Sequence, residues 1–218
     1  LREMLKTLKG SGGNQGGEYW RPKSSGKFPF RIYRYMDESG QQELYSEQFI
    51  HWVDSKPVPC TGDTCDACKA VACLEAAGDP DSTAKARDMR SQRRMTFVVI
   101  LLGEPTGFKL YEATEAVGRK ILLQAAKGGG YLGKWPRDEE MDEFFACLVK
   151  GIPTICGPAG KDIVLTYDKN AKPTDVYTVD MNPFECKTLT FAEDAQVPNP
   201  RDVRARIDRA RAAKAKGQ

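Results

Sequence analysis

Short apolar or alternating runs recur along the chain, and turn-forming residues separate most of them. This pattern predicts β-hairpins, because strands of globular proteins are short runs bounded by Gly, Pro, Asn or Asp. One hairpin is expected around Asp37–Gly40 and another around Gly103–Thr106. The predicted strands lie at residues 28–53 (two strands), 95–102, 107–111, 163–167, 176–181 and about 188–191.

Three segments have a helical pattern instead, at about 67–77, 114–127 and from 138 to just before 151. In the third, Met141, Phe144, Phe145 and Leu148 recur at a spacing that places them on one helix face. The polar stretch 79–94 is expected to hold a turn or two of helix. Because the helices are inserted between strand pairs, the predicted fold class is mainly β with inserted helices, built on a small barrel.

Composition divides the chain into an arm, a core and a tail. Residues 1–9 have the pattern of a short amphipathic helix, and residues 10–17 contain five glycines, which is typical of a flexible tether. The core is expected to span 18–195. The tail, 196–218, carries seven basic and two acidic residues and is therefore +5, so the rest of the chain is −2 although the whole has a formal net charge of +3.

No segment is apolar enough to predict a membrane span. The longest apolar run, Phe97–Leu102, has six residues, whereas a spanning helix needs about 20. The sequence opens without a signal-like segment, and its seven cysteines are an odd number, four of them between Cys60 and Cys73. We therefore expect a reducing, cytoplasmic location and no membrane partner.

The strongest chemical signal is a cluster of metal-ligand residues in the order H-x8-C-x4-C-x2-C. It consists of His51, Cys60, Cys65 and Cys68, and His51 is the only histidine of the chain. Three thiolates and one imidazole make a closed tetrahedral set that suits one structural Zn²⁺. Buried thiols with a core histidine, or a redox C-x-x-C pair, are the alternative interpretations. Cys73 is a spare candidate ligand but is more simply explained as a core residue.

A second signal is the interleaving of aromatic and basic residues over Tyr19–Tyr35. This segment holds six aromatic and five basic residues and no acid. Strand alternation places Arg31, Tyr33 and Tyr35 on one face, which would stack bases and neutralise phosphates. A core of aromatics with a solvated basic edge is the alternative. A second basic run, 85–94, leads directly into an apolar strand.

No catalytic set is evident, so an enzyme is not predicted. His51 is committed to the metal cluster, which leaves no Ser/His or Cys/His pair. Gly128–Gly130 follows a predicted helix instead of opening one, so it indicates a helix end and not a phosphate loop.

The order of these features resembles the zinc-containing single-stranded-DNA-binding, or helix-destabilising, proteins of tailed phages, the gene-32 type. In that family a short arm and a strand pair precede a histidine and three cysteines that bind zinc. A basic segment that enters an apolar strand follows, similar to Arg93–Leu101, and then a strand pair similar to 163–181. The metal spacing is the specific part of the resemblance.

The resemblance implies an OB-fold core, a zinc subdomain at about 51–78, and a cleft that coats and protects single-stranded DNA during replication, recombination or repair, largely without sequence preference. Under it, Arg31, Arg34, Arg93 and Arg94 would face phosphates, and Tyr33, Tyr35, Phe97 and Tyr111 would stack on bases. It also implies cooperative contacts between copies through the arm, replication or recombination proteins as partners, and a phage-infected bacterial cell. The basic tail departs from the family, which ends in an acidic one.

Two other functions remain open from the residues themselves. A zinc-stabilised adaptor would bind protein partners through the arm or tail, and its aromatics in 19–35 would be core. Binding to RNA or duplex DNA is the weaker alternative. Comparing the same titration across different polymers distinguishes it from binding to single-stranded DNA.

Overall fold

The computed structural model describes residues 19–53, 56–103, 107–182 and 197–216. The predicted arm and tether, and the strand predicted near 188–191, lie outside these ranges. The strands are Tyr19–Trp20 (β1), Gly26–Tyr33 (β2), Tyr35–Met36 (β3), Gln42–Glu43 (β4), Tyr45–Val53 (β5), Lys56–Pro59 (β6), Gln92–Leu101 (β7), Lys109–Thr114 (β8), Ile163–Tyr167 (β9) and Tyr177–Met181 (β10). The helices are Asp66–Ala77 (α1), Pro80–Met89 (α2), Glu115–Gly128 (α3), Met141–Ile155 (α4) and Pro200–Lys216 (α5), with 3-10 turns at Gly62–Thr64 and Asp138–Glu140.

Local signals explain most of the helix boundaries. Gly78 ends α1 in the left-handed conformation with φ 72°, which glycine adopts without strain. The Asp79 carboxylate then accepts a hydrogen bond from the Ser82 N–H at 2.9 Å, with Pro80 in the first turn, so α2 begins at once. Helix α2 is therefore longer than the turn or two that we expected. None of the described helices is long and apolar enough to cross a lipid bilayer.

The described residues divide into two compact units. The larger comprises the described residues up to Ser46 and those from Thr96 onwards, and the smaller is Glu47–Met95. An eight-stranded sheet follows the path β1-β8-β7-β2-β9-β10, to which β5 and β6 are added at β7. Its central strand β2 pairs antiparallel with β7 and β9, so that Phe30 lies opposite both Leu101 and Ile163. The core is thus largely sheet in a mixed helix and sheet fold. The path does not close among the described strands, and the predicted barrel is not confirmed.

The sheet of the larger unit curls toward one face. Strands β1 and β2 are three positions apart in the path, which in a flat sheet is about 14 Å. Yet the Trp20 ring centroid lies 5.6 Å from that of Phe28 and 6.2 Å from that of Phe30. The Tyr111 ring on β8 likewise lies 5.7 Å from that of Phe30, two strands away on β2. Because side chains stand roughly perpendicular to a sheet, these contacts require strong curvature.

Helices α3 and α4 belong to the larger unit and pack against each other. On α3, the Lys120 Nζ donates to the Tyr177 carbonyl at 2.6 Å and the Gln124 Nε2 to the Val179 carbonyl at 2.8 Å, which ties the helix to β10. The two helices approach so closely that a Cβ at Gly151 would overlap the Ala125 carbonyl. Glycine is therefore required at this crossing.

The C-terminal helix α5 packs against the face of β2 that carries Tyr33. Val203 of α5 is buried in a cluster of core residues, and Ile207 packs against the same cluster. Through these two residues the basic tail is in contact with the sheet, and α5 packs onto the core of the larger unit. The other buried members of this cluster are Tyr33, Tyr35, Val98, Ile100, Phe108 and Leu110.

The smaller unit has few buried apolar side chains. Among its described residues Ile50, Val71, Ala86 and Met95 are buried, together with Cys65 and His51. Helices α1 and α2 pack against each other here, and the Arg90 guanidinium pairs with Glu75 at 2.8 Å on the surface. A unit of this size with so small a core needs additional stabilisation.

Candidate metal centre and nucleic-acid interface

Four residues of the smaller unit converge in the geometry of a metal site. His51 lies on β5, Cys60 follows β6, Cys65 caps α1, and Cys68 lies in the first turn of α1. The 3-10 turn between Cys60 and Cys65 contains Gly62 at φ 70°, which lets the chain reverse. All four ligand atoms lie within 4.8 Å of one another.

The distances between the ligand atoms match a tetrahedron. A metal–sulfur bond of about 2.3 Å and a metal–nitrogen bond of about 2.0 Å give S···S edges of about 3.8 Å and S···N edges of about 3.5 Å. The Sγ atoms of Cys60 and Cys68 are 3.6 Å apart. The His51 Nε2 lies 3.4 Å from the Sγ atoms of both Cys65 and Cys68. Three of the six edges thus match the expected lengths closely, and these residues could bind one metal ion.

The orientation of the His51 ring supports the same conclusion. Its Nδ1 lies 2.8 Å from the carbonyl oxygen of Met89, the last residue of α2. Since a carbonyl only accepts, Nδ1 carries the proton and Nε2 presents its lone pair to the thiols. Metal-ligating histidines are typically held in this way through the second ring nitrogen. The ring is 1% exposed, so water does not compete for it.

The thiols at this centre have unequal proton affinities. Backbone N–H groups around Cys65, that of Thr61 first, lower the pKa of its thiol to about 6. The hydrogen bond with Cys60 and burial raise the pKa of Cys68 to about 11. Neighbouring thiolates repel one another, and a bound cation would offset this repulsion. Four protein ligands leave no open coordination position, so the arrangement suits a structural metal and not a catalytic one.

The spare candidate ligand lies elsewhere. Cys73 is exposed on α1 and is not a member of the metal cluster. Its prediction as a core residue is wrong, because its position on α1 faces solvent.

Five of the predicted DNA-contacting residues are core side chains in the structure. Tyr33, Tyr35, Phe97 and Tyr111 are at most 3% exposed, so no base can stack on their rings. Arg31 is 1% exposed, and its Nη2 pairs with the Asp162 carboxylate at 2.7 Å, while Nη1 donates to the Pro158 carbonyl. Strand alternation predicts one buried and one open face for β2, but in the structure the side chains on both faces are buried. We correct these five assignments accordingly.

The other three predicted residues are in different situations. Arg34 is exposed. Arg93 forms a bidentate ion pair with Glu47, with both N···O distances 2.7 Å, and so is already neutralised. Arg94 is half-buried, and its Nη2 donates to the Gln92 side chain at 2.8 Å. Arg34 belongs to the larger unit, whereas Arg93 and Arg94 belong to the smaller one.

A group of half-exposed aromatic rings, which the sequence prediction missed, lies where β2 begins. We call Trp20, Phe28, Tyr167 and Tyr177 the aromatic rim. The rings of Trp20 and Phe28 meet edge to face at 5.6 Å, and those of Tyr167 and Tyr177 are stacked at 5.0 Å. The register places Tyr167 opposite both Gly26 and Tyr177, which brings the rim to one end of the sheet.

Exposed basic residues surround the aromatic rim. Arg21, Lys23 and Lys27 precede or begin β2, and all three are exposed. The N–H of Lys169 donates to the Ser25 Oγ at 3.1 Å, so the turn after β9 contacts the same segment. That turn adds two exposed lysines and two exposed aspartates, which leaves the surroundings positive. Within the segment 19–35, the ring residues of the rim are Trp20 and Phe28, which precede the residues predicted to contact DNA.

Comparisons with known proteins leave the family open. No protein-family model matches the chain, and no curated protein matches it either.

Proposed function

We propose that this protein is a non-enzymatic single-stranded-DNA-binding protein that coats and protects the strand during replication, recombination or repair. The observation that carries the proposal is the aromatic rim with its exposed basic border. Half-exposed rings stack on bases of any identity, at about 1–3 kcal/mol per base, and the lysines and arginine neutralise phosphates. Binding is therefore largely independent of sequence.

An OB-fold-like barrel is the fold that we propose for the larger unit. Support comes from the curvature that brings Trp20 to Phe28, and from ring contacts across several strands. Small barrels of this type bind oligonucleotides on an open strand face. The aromatic rim, at one end of the sheet, would form part of such a binding surface.

Zinc is the metal that we propose for the four-residue centre. Three thiolates with one neutral imidazole in a closed tetrahedron are the donor set that zinc prefers in structural sites. Bound there, it would join β5, the turn after β6 and α1, and so stabilise the smaller unit.

The biological setting that we propose follows the resemblance to the phage family. It comprises cooperative contacts with neighbouring copies through residues 1–9, replication or recombination proteins as partners, and the cytoplasm of an infected bacterium. Cooperativity is testable by comparing binding isotherms of the full chain and of a variant that lacks residues 1–9. Equal steepness of the two isotherms would argue against the arm.

The primary test is a fluorescence titration with oligo(dT), at two salt concentrations and beside a duplex of equal length. We expect tight, salt-sensitive binding to the single strand and much weaker binding to duplex. The double variant Lys23→Gln, Lys27→Gln should reduce the magnitude of the log–log salt slope by about 1.4. The matched control, Lys127→Gln with Lys150→Gln, removes two exposed charges of α3 and α4 and should leave the slope unchanged.

Absence of binding to oligo(dT) by the folded, metal-loaded protein would refute the proposal. Tighter binding to RNA or duplex would replace it with those ligands.

A zinc-stabilised adaptor is the second candidate, and exposed apolar residues favour it. Leu132 is 96% exposed, and Phe145 and Val149 on α4 are 51% and 68% exposed. Phe145 and Val149 are one turn apart on α4, and apolar side chains exposed together in this way are typical of protein-binding surfaces. If oligo(dT) does not bind, this surface becomes the first to examine, with Phe145→Ser as the variant that should abolish partner binding.

A further inference from the structure

Three side chains of the smaller unit form a chain of hydrogen bonds on its surface. The Gln92 Oε1 accepts from the Trp52 Nε1 at 3.3 Å and from the Arg94 Nη2 at 2.8 Å. Gln92 and Arg94 are two apart on β7 and therefore share a strand face. Gln92 is exposed, and Trp52 and Arg94 are half-buried. We call this set the Trp–Gln–Arg trio.

Arg94 retains its charge for a ligand, in contrast to its neighbour. Arg93 is neutralised by the bidentate pair with Glu47. The described contacts of Arg94 include no carboxylate; its partner is the neutral Gln92 amide, and its Nε is buried with no hydrogen-bond partner. A guanidinium held in place by a neutral acceptor keeps its full positive charge and its remaining donors.

The orientation of the Gln92 amide follows from its two partners. Trp52 Nε1 and Arg94 Nη2 can only donate, so the amide oxygen must face both of them. The amide Nε2 then points away from the trio, and its described hydrogen bonds include no acceptor within the protein. The trio thus offers a ring face, an unneutralised cation and an N–H donor side by side.

We infer that the trio binds one nucleotide of a single strand, as a contact separate from the aromatic rim. The base stacks on Trp52, Arg94 contacts the adjoining phosphate, and the Gln92 Nε2 donates to a carbonyl oxygen of the base. Thymine, cytosine and guanine carry such an oxygen, whereas adenine does not. The inference rests on the proposed function, and it adds a base preference that stacking alone would not produce.

Trp52 itself provides the test. A chain with Trp20→Phe and Trp135→Phe keeps Trp52 as its sole tryptophan, and a companion chain with Trp52→Phe and Trp135→Phe keeps Trp20. A dye-labelled oligo(dT) reports total binding by anisotropy in the same samples, with metal content measured in each. We expect oligo(dT) to quench both Trp52 and Trp20.

Substitutions separate the roles within the trio. Arg94→Gln should lower the magnitude of the salt slope by about 0.7, whereas Arg87→Gln, at an exposed position of α2 in the same unit, should not. Gln92→Ala should weaken binding of oligo(dT) about fivefold more than binding of oligo(dA), because the loss of its support for Arg94 and Trp52 affects both strands alike.

The possible failures are distinguishable. If anisotropy shows that oligo(dT) binds and Trp20 is quenched while Trp52 is silent, the trio is not a contact and the proposed function stands. If the labelled strand does not bind at all to the metal-loaded chain, both proposals are overturned. Equal losses for oligo(dT) and oligo(dA) in Gln92→Ala would refute the hydrogen bond to the base.

Discussion

Removal of the metal should unfold the smaller unit and leave the larger one folded. The unit Glu47–Met95 buries few apolar side chains, and its four ligand residues join β5, the turn after β6 and α1. We therefore expect a chelator to unfold this unit while the sheet of the larger unit keeps its packing. Because thiols and imidazole bind metal only when deprotonated, acidification should have the same effect, and raising the pH should reverse it.

The expected contribution of the metal to the stability of the unit can be compared with that of its apolar core. Ile50, Val71 and Met95 are the large apolar side chains buried there, and at about 1.5–3 kcal/mol each they contribute about 4–9 kcal/mol. A structural zinc contributes about 10–16 kcal/mol at neutral pH. The corresponding dissociation constant is about 10⁻⁷–10⁻¹² M.

Hydrogen exchange read peptide by peptide is the suitable assay, with metal content measured in parallel. Chelation should remove protection from α1 and α2 and leave it in β2, β7 beyond Met95, and α3. Cys65→Ser should reproduce this loss, whereas Cys73→Ser, on the same helix but exposed and outside the cluster, should bind metal normally. Full protection of α1 and α2 in metal-free protein would refute the argument, as would equal metal loss in the two variants.

Three further predictions concern the larger unit, each measured as the free energy of unfolding in urea. The Tyr33 hydroxyl is buried without a hydrogen-bond partner, whereas that of Tyr35 is hydrogen-bonded. Tyr33→Phe should therefore be neutral or stabilising, and Tyr35→Phe should cost about 1 kcal/mol. The reverse order of the two effects would contradict this. Arg31→Met leaves the Asp162 charge buried and should cost about 3–5 kcal/mol, so an unchanged stability with weaker DNA binding would restore Arg31 to the interface. Gly151→Ala should cost about 1–3 kcal/mol by forcing α3 and α4 apart, and a neutral effect would show that the crossing is loose.

The metal centre was predictable from the sequence because its ligands are local. His51 and the three cysteines lie within 18 consecutive residues, and turns at fixed offsets bring them together. The hairpin of β9 and β10 was predictable for the same reason, since its strands are adjacent in the chain. Helix α2 is longer than the predicted turn or two because Asp79 and Pro80 start a helix that the polar composition of the segment does not indicate.

Five predicted DNA-contacting residues are core side chains because burial is not local. Alternation shows that Arg31, Tyr33 and Tyr35 share a face, but not what lies on that face. The partner of Arg31 is Asp162, 131 residues away, and the cover of Tyr33 includes Val203 of α5. Such long-range contacts leave no trace in a short window of sequence.

The C-terminal helix shows how charge and packing can be separated on one element. Val203 and Ile207 bind α5 to the core, so its basic residues are displayed on a folded surface. Arg204 is neutralised within the protein, since it pairs with Glu112 at 3.1 Å and with Asp208 at 3.3 Å. Exposed arginines such as Arg201 and Arg209 keep their charge. The helix therefore adds a fixed positive potential to the larger unit, which under the proposed function would attract the DNA strand from a distance without specifying a base.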